Sequence, residues 1–339
     1  MADAIVLHLR QFWATLLVAF LLGTTACIHS AQAAPVLFPD SSITLEDGDI
    51  ILSDGVDILP SFNREFGYPK GPYSHASVYI ELPEKGGQIV DFNDSGMHIS
   101  DPERFMSRSF KLAILRPIHK PAPGALARAF EALSERNMVF DFDMVWPSND
   151  SRLTYCAGFV SQLFRLSGLP GMDPFPRQEA YRMEFWNDWA QQHLGMDLSH
   201  AISPNAILSN AHFRLLAEYD NPSQALKKKF WLTDSTLRKV MHYLRNEQME
   251  IAPPSLGSRL VFAATDAGWI KRNTFTQMPV KRRTAYITIY EFTEKVKARV
   301  ERTLLLNEEK SWDEDDVRTL TESVADAYRN GFFMPRTSP

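Results

Sequence analysis

Cysteine is nearly absent from this chain. Its 339 residues hold two, Cys27 and Cys156. That is too few for a disulfide framework, and no paired-cysteine spacing of a zinc site occurs. The nine histidines are scattered and form no His-Glu-x-x-His stretch, and no glycine-rich phosphate loop is found. Neither a metal nor any other cofactor is therefore expected. Positive charge is in deficit, since 36 Lys and Arg against 41 Asp and Glu leave a net charge of −5. That balance excludes nucleic acid as the expected partner. The basic runs at 227–229 and 281–283 are isolated and read as solvated surface. Internal repeats and low-complexity tracts are missing as well.

Long apolar runs are also scarce. The one clear case is "FWATLLVAFLLG", residues 12–23, shorter than the roughly 20 residues of a membrane span. Arg10 precedes it, and "AQAAP" follows, where Ala31-Gln32-Ala33 suits cleavage before Ala34. Residues 1–33 are thus expected to be a signal peptide. "TTAC", ending at Cys27, offers a second reading as a lipidation site, and a retained anchor is a third. All three put the bulk of the chain outside the cytoplasm, in the periplasm or at the outer membrane. Export bears on the thiols. Cleavage removes Cys27 and lipidation consumes it, so Cys156 is expected to stand alone. A lone thiol in an oxidising compartment is either a buried hydrophobe or a reactive group.

What the chain does have is patterned sequence. "EDGDIILSDG" predicts a short strand at 49–53. "YSHASVYIEL" alternates, with Ala76, Val78 and Ile80 on one face and His75, Ser77, Tyr79 and Glu81 on a polar face. "EKGG" turns the chain into "QIVDFND", so the two strands read as a hairpin. "KLAILRP", 111–117, is a third apolar strand. "PGALARAFEALSERN" has helical spacing at Leu126, Phe130 and Leu133. "CAGFVSQLFRLSG" predicts a helix from Cys156 to Leu166, with Phe159, Val160, Leu163 and Phe164 on one face and Gly168 as its end. "RQEAYRMEFWNDWAQQHLG" predicts another. The fold class is α+β, a small antiparallel sheet packed on the cysteine-bearing helix, over residues 34–200. Residues 201–339 are expected to be a mainly helical region. There Thr233 or Asp234 would cap a helix, Phe292, Val296, Val300 and Leu304 would form a stripe, and Ser311 with Glu314 would make a capping box. "RTAYITIYEF" reads as a strand.

Cys156 opens its helix, where the dipole and free N–H groups favour a thiolate and can hold an oxyanion. A thiol nucleophile also needs a base, and the base needs an orienter. His75 on the polar strand face is the candidate base. Asp91, on the neighbouring strand of the hairpin, is the candidate orienter, since antiparallel neighbours on one face stand within reach of each other.

The order histidine strand, acidic strand, cysteine helix resembles the permuted papain-like hydrolases related to YiiX and YaeF. These are circularly permuted cousins of the NlpC-type cell-wall peptidases and of lecithin retinol acyltransferase. The resemblance covers residues 45–170 and is carried by "EDGDIILSDG", "YSHASVYIE", "IVDFNDSG", "MVFDFDM" and "TYCAGFVSQLF". YiiX-like members commonly have Ser and Glu after the cysteine, whereas Ala157 and Gly158 follow here. "CAGFV" is nearer the "CSGFV" of unpermuted NlpC enzymes. The resemblance implies a thiol amidase or acyl hydrolase with Cys156, His75 and Asp91 as its catalytic set. The substrate would be a cell-wall peptide, as the NlpC-like helix and the compartment imply, or a lipid amide or ester, as the acyltransferase cousins imply. The rival reading is a module of the same fold that binds peptide or lipid without turnover and acts through its C-terminal region.

Overall fold

Alternating apolar residues in "HASVYIEL" and "KLAILRP" lay down strands whose two faces both need covering, and that requirement shapes the first half of the molecule. The computed structural model describes residues 43–55, 71–93, 95–141, 150–168, 191–192, 203–247, 249–253, 256–266, 280–305 and 312–335. Strands β1 (Ile50–Asp54), β2 (His75–Leu82), β3 (Gly86–Asn93), β4 (Gly96–Ser100) and β5 (Lys111–Pro117) are followed by a short parallel pair, β6 (Val139–Phe140) and β7 (Leu153–Thr154), and by β8 (Phe213–Asp220). The main sheet runs β4-β3-β2-β1-β5-β8, antiparallel throughout.

Helix α1 (Pro102–Arg108) covers one face of this sheet. Helices α2 (Ala125–Ser134) and α3 (Cys156–Leu166) cover the other. Ala76, Val78, Ile80, Val90 and Phe92 pack with Leu126, Phe130, Phe159, Val160, Leu163 and Phe164. The rings of Phe92 and Phe159 stack 5.8 Å apart. The cysteine helix has the predicted bounds, and Gly168 follows its end at φ +76°, a conformation that glycine takes without strain.

The opposite face departs from the alternation pattern. Ser77 and Tyr79, read as polar-face residues, are buried, and Tyr79 joins Ile51, Ile89, Met106, Leu112 and Ile114 in a second core. Ser77 tolerates this because its hydroxyl donates to the Ile51 carbonyl at 3.0 Å. β4, α1 and β8 were not foreseen. The sixth strand, β8, lies beyond the expected boundary at residue 200, so the sheet itself extends to Asp220.

The C-terminal region is mainly helical. It comprises α4 (Gln224–Arg245), α5 (Leu256–Asp266), α6 (Val280–Leu305) and α7 (Glu314–Tyr328), with a small antiparallel pair, β9 (Met249–Ile251) and β10 (Phe333–Pro335). Leu237, Val240, Tyr243, Phe292, Val296, Val300 and Val317 form its core. Three expectations are corrected here. Helix α4 is capped by Ser223, so Thr233 and Asp234 lie buried inside it. Asp313, and not Ser311, caps α7 by accepting from the Asp316 amide at 2.9 Å. "RTAYITIYEF" belongs to α6, because the stripe at Phe292, Val296 and Val300 is buried at helical spacing and outweighs β-branched propensity. The helix expected over "RQEAYRMEFWNDWAQQHLG" lies outside the described residues apart from 191–192, which are helical. No helix among the described residues is long and apolar enough to cross a membrane.

Candidate active site

Each candidate residue owes its position to a local cause. Helix α3 packs its apolar stripe on β2 and β3, and this brings its first residue, Cys156, to the end of the sheet. Tyr155 before it is extended, at φ −134° and ψ 177°, and offers no side-chain cap. The first-turn N–H groups thus have no side-chain acceptor from the N-cap residue and remain suited to an incoming anion. Cys156 is a free thiol with 5% of its surface exposed.

His75 is the first residue of β2, so its imidazole stands at the strand's end. Asp91 reaches it diagonally from β3, where Val78 pairs with Val90. The contact between His75 Nε2 and Asp91 Oδ1 is 3.6 Å, with the side chains 22% and 7% exposed. At that separation they form an ion pair rather than a hydrogen bond. Asp91 Oδ1 is buried and accepts no hydrogen bond, so a cationic imidazole is its compensating charge.

Burial alone would push the basicity of His75 down. The Cys156 sulfur beside it opposes this by charge and hydrogen bonding, and the charge of Asp91 adds to it. The net result lifts the His75 pKa to about 10. His75 is therefore an imidazolium at neutral pH, lying between a thiol and a carboxylate. Cys156, His75 and Asp91, far apart in sequence, are brought together. With Nε2 turned to Asp91, Nδ1 is the ring atom left for the sulfur.

Two features around this cluster were not foreseen. The first is His98, which pairs with Asp91 across β4. Its Nε2 lies 2.9 Å from Ser95 Oγ, and Ser95 Oγ donates to Asn93 Oδ1 at 2.7 Å. The serine proton is thus engaged with Asn93, so His98 Nε2 is the donor to Ser95 and not a base toward it. The second is the approach to β2. The buried Asn205 carboxamide accepts from the Tyr73 N–H at 3.0 Å and donates to the Tyr73 carbonyl at 2.6 Å, and the Tyr73 hydroxyl donates to Glu218 at 2.6 Å. Ser203-Pro204 has the sequence signature of a capped turn, but nothing in the sequence ties it to residue 73.

No family model matches the chain, and no curated protein matches it. Among solved structures it is similar to the crystal structure of the metalloprotein yiiX from Escherichia coli O157:H7. The identity is 15% and the TM-score 0.42, over 52% of this chain and 98% of that one. Among the described residues of the present chain, no three His, Cys, Asp or Glu side chains are grouped so as to hold a metal ion.

Proposed function

We propose that this chain is an exported thiol hydrolase of the permuted papain-like type, acting on an amide or ester bond. Cys156 is the nucleophile, His75 the general base and acid, and Asp91 the orienter. The observation that carries the proposal is the position of His75, 3.6 Å from Asp91 and beside the sulfur at the first residue of α3.

The chemistry follows from these positions. The Cys156 thiolate attacks the substrate carbonyl carbon, and the electron pair moves to the carbonyl oxygen. First-turn N–H groups of α3 stabilise that oxyanion. The His75 imidazolium gives its proton to the leaving nitrogen or oxygen, and an acyl-thioester remains. Neutral His75 then takes a proton from water, and the hydroxide attacks the thioester. The carboxylic acid leaves, and the thiolate–imidazolium pair is restored. Asp91 stabilises the imidazolium throughout. The substrate is a cell-wall peptide or a lipid amide or ester.

One observation favours the rival reading, a binding module without turnover: Cys156 is only 5% exposed. Iodoacetamide labelling of the native protein decides between them. The hydrolase reading expects Cys156 to be alkylated below neutral pH, faster than a free thiol, followed by turnover of either peptidoglycan fragments or lipid amides and esters. Resistance to alkylation until the protein is denatured would leave the binding module. Export is tested by intact mass, with a mature chain expected to begin at Ala34. A diacyl adduct on Cys27 would make it a lipoprotein, and an unprocessed cytosolic chain would end the export proposal.

A further inference from the structure

We infer that Asn205, with Gly71 making room for it, is a positioning residue for His75. This inference rests on the proposed thiol–imidazole pair and adds the device that holds its base in place.

Ser74 N–H donates to the Ser53 carbonyl on β1 at 3.0 Å. Tyr73 precedes that point and lies outside β2, where no strand ladder pairs its N–H and C=O. The Asn205 carboxamide supplies the missing pair, accepting at Oδ1 and donating at Nδ2, as a peptide group would. Ser203 fixes its orientation, because Asn205 Nδ2 also donates to Ser203 Oγ at 2.8 Å. The fit is close. A Cβ on Gly71 would stand 2.2 Å from Asn205 Oδ1, so a side chain at 71 displaces the clamp. His75 follows Tyr73 by two residues, and its contact with Asp91 is already 3.6 Å. A small slip of the strand end would break that contact and carry the imidazole off the sulfur, and a displacement of about 1 Å can cost roughly 10²-fold in rate.

The test is the pH dependence of Cys156 alkylation by iodoacetamide in the full chain, read with the thermal midpoint, for wild type and the His75→Ala, Asn205→Ala, Gly71→Ala and Gly71→Ala/Asn205→Ala variants. The inference expects His75→Ala to move the profile to higher pH. Asn205→Ala and Gly71→Ala should each move it in the same direction, with at least about tenfold slower labelling at pH 6. The double variant should add little to either single one, because all three break one contact. A wild-type profile in Asn205→Ala beside a displaced His75→Ala profile would overturn this inference alone, and a lowered midpoint there would mark Asn205 as holding only the fold. Failure of both single variants to fold would overturn it in the same way. Identical profiles for wild type and His75→Ala would overturn the thiol–imidazole reading, and the clamp's role with it.

Discussion

His75 holds a charge where burial opposes one, so its charge measures the groups around it. NMR titration of its ring should show protonation persisting to about pH 10. Cys156→Ser should lower that value, because the sulfur's charge is the largest influence holding the proton on. The linkage has a definite sign. The folded value lies above the ordinary 6.5, so the stabilisation is fully present below pH 6.5 and is lost as pH rises toward about 10. Denaturant midpoints should fall across that window in wild type and stay flatter in His75→Ala. Asp91→Asn removes the orienting charge. In the proposed hydrolase, turnover should drop more than about tenfold, yet less than the roughly 10⁴ of a serine triad, because a thiol needs less help. Unchanged turnover would remove Asp91 from the mechanism. These three residues were legible because each sits on a strongly patterned element. Asn205 was not, since its partner Tyr73 is 132 positions away and no periodicity reports such a contact.

At the scale of elements, sequence pattern succeeded where one stripe dominated and failed where two signals competed. The apolar spacing after Cys156, closed by Gly168, left one solution for α3. Residues 283–292 carry Thr, Tyr and Ile in strand-like density, yet they form a helix. Their stripe continues into Phe292, Val296 and Val300, and the bundle has room for it only as a helix. Phe292 lies among Tyr243, Phe332 and Phe333, with ring centroids 5.1 to 6.3 Å apart. Phe292→Ala should therefore cost about 3–5 kcal/mol by chemical denaturation, while Cys156 alkylation in the folded variant stays unchanged. Helix α1 could have been foreseen, since Asp101-Pro102-Glu103 reads as cap, first-turn proline and dipole-compatible acid.

For the whole molecule, composition and pattern led correctly to an α+β sheet with a helical C-terminal region. The expected division at residue 200 fell short of the sheet's end. A strand such as β8 is hard to see, because it alternates between an edge exposed to solvent and a partly covered face. It pairs along all of β5, and beyond it Phe110 stacks on Phe230 of α4 at 4.2 Å. A chain ending at residue 200 loses β8 and Asn205 together and bares the edge of β5. It should aggregate or be digested rapidly in limited proteolysis, whereas a chain ending after residue 222 should leave a more resistant fragment. Equal resistance of the two would show that the sheet does not need its sixth strand.

The clamp on Tyr73 also sets an order of events in time. The strand bearing His75 is synthesised before the groups that tie down its end, since Asn205 and Glu218 come 132 and 145 residues after Tyr73. Closing so long a loop carries an entropic cost that grows only slowly with length, about 0.6 kcal/mol per doubling. The contact cannot form before the later residues exist, and such distant pairings form slowly. On a nascent chain, His75 and Cys156 can both be present without being aligned. Alignment of the two then arrives only with the last stage of folding.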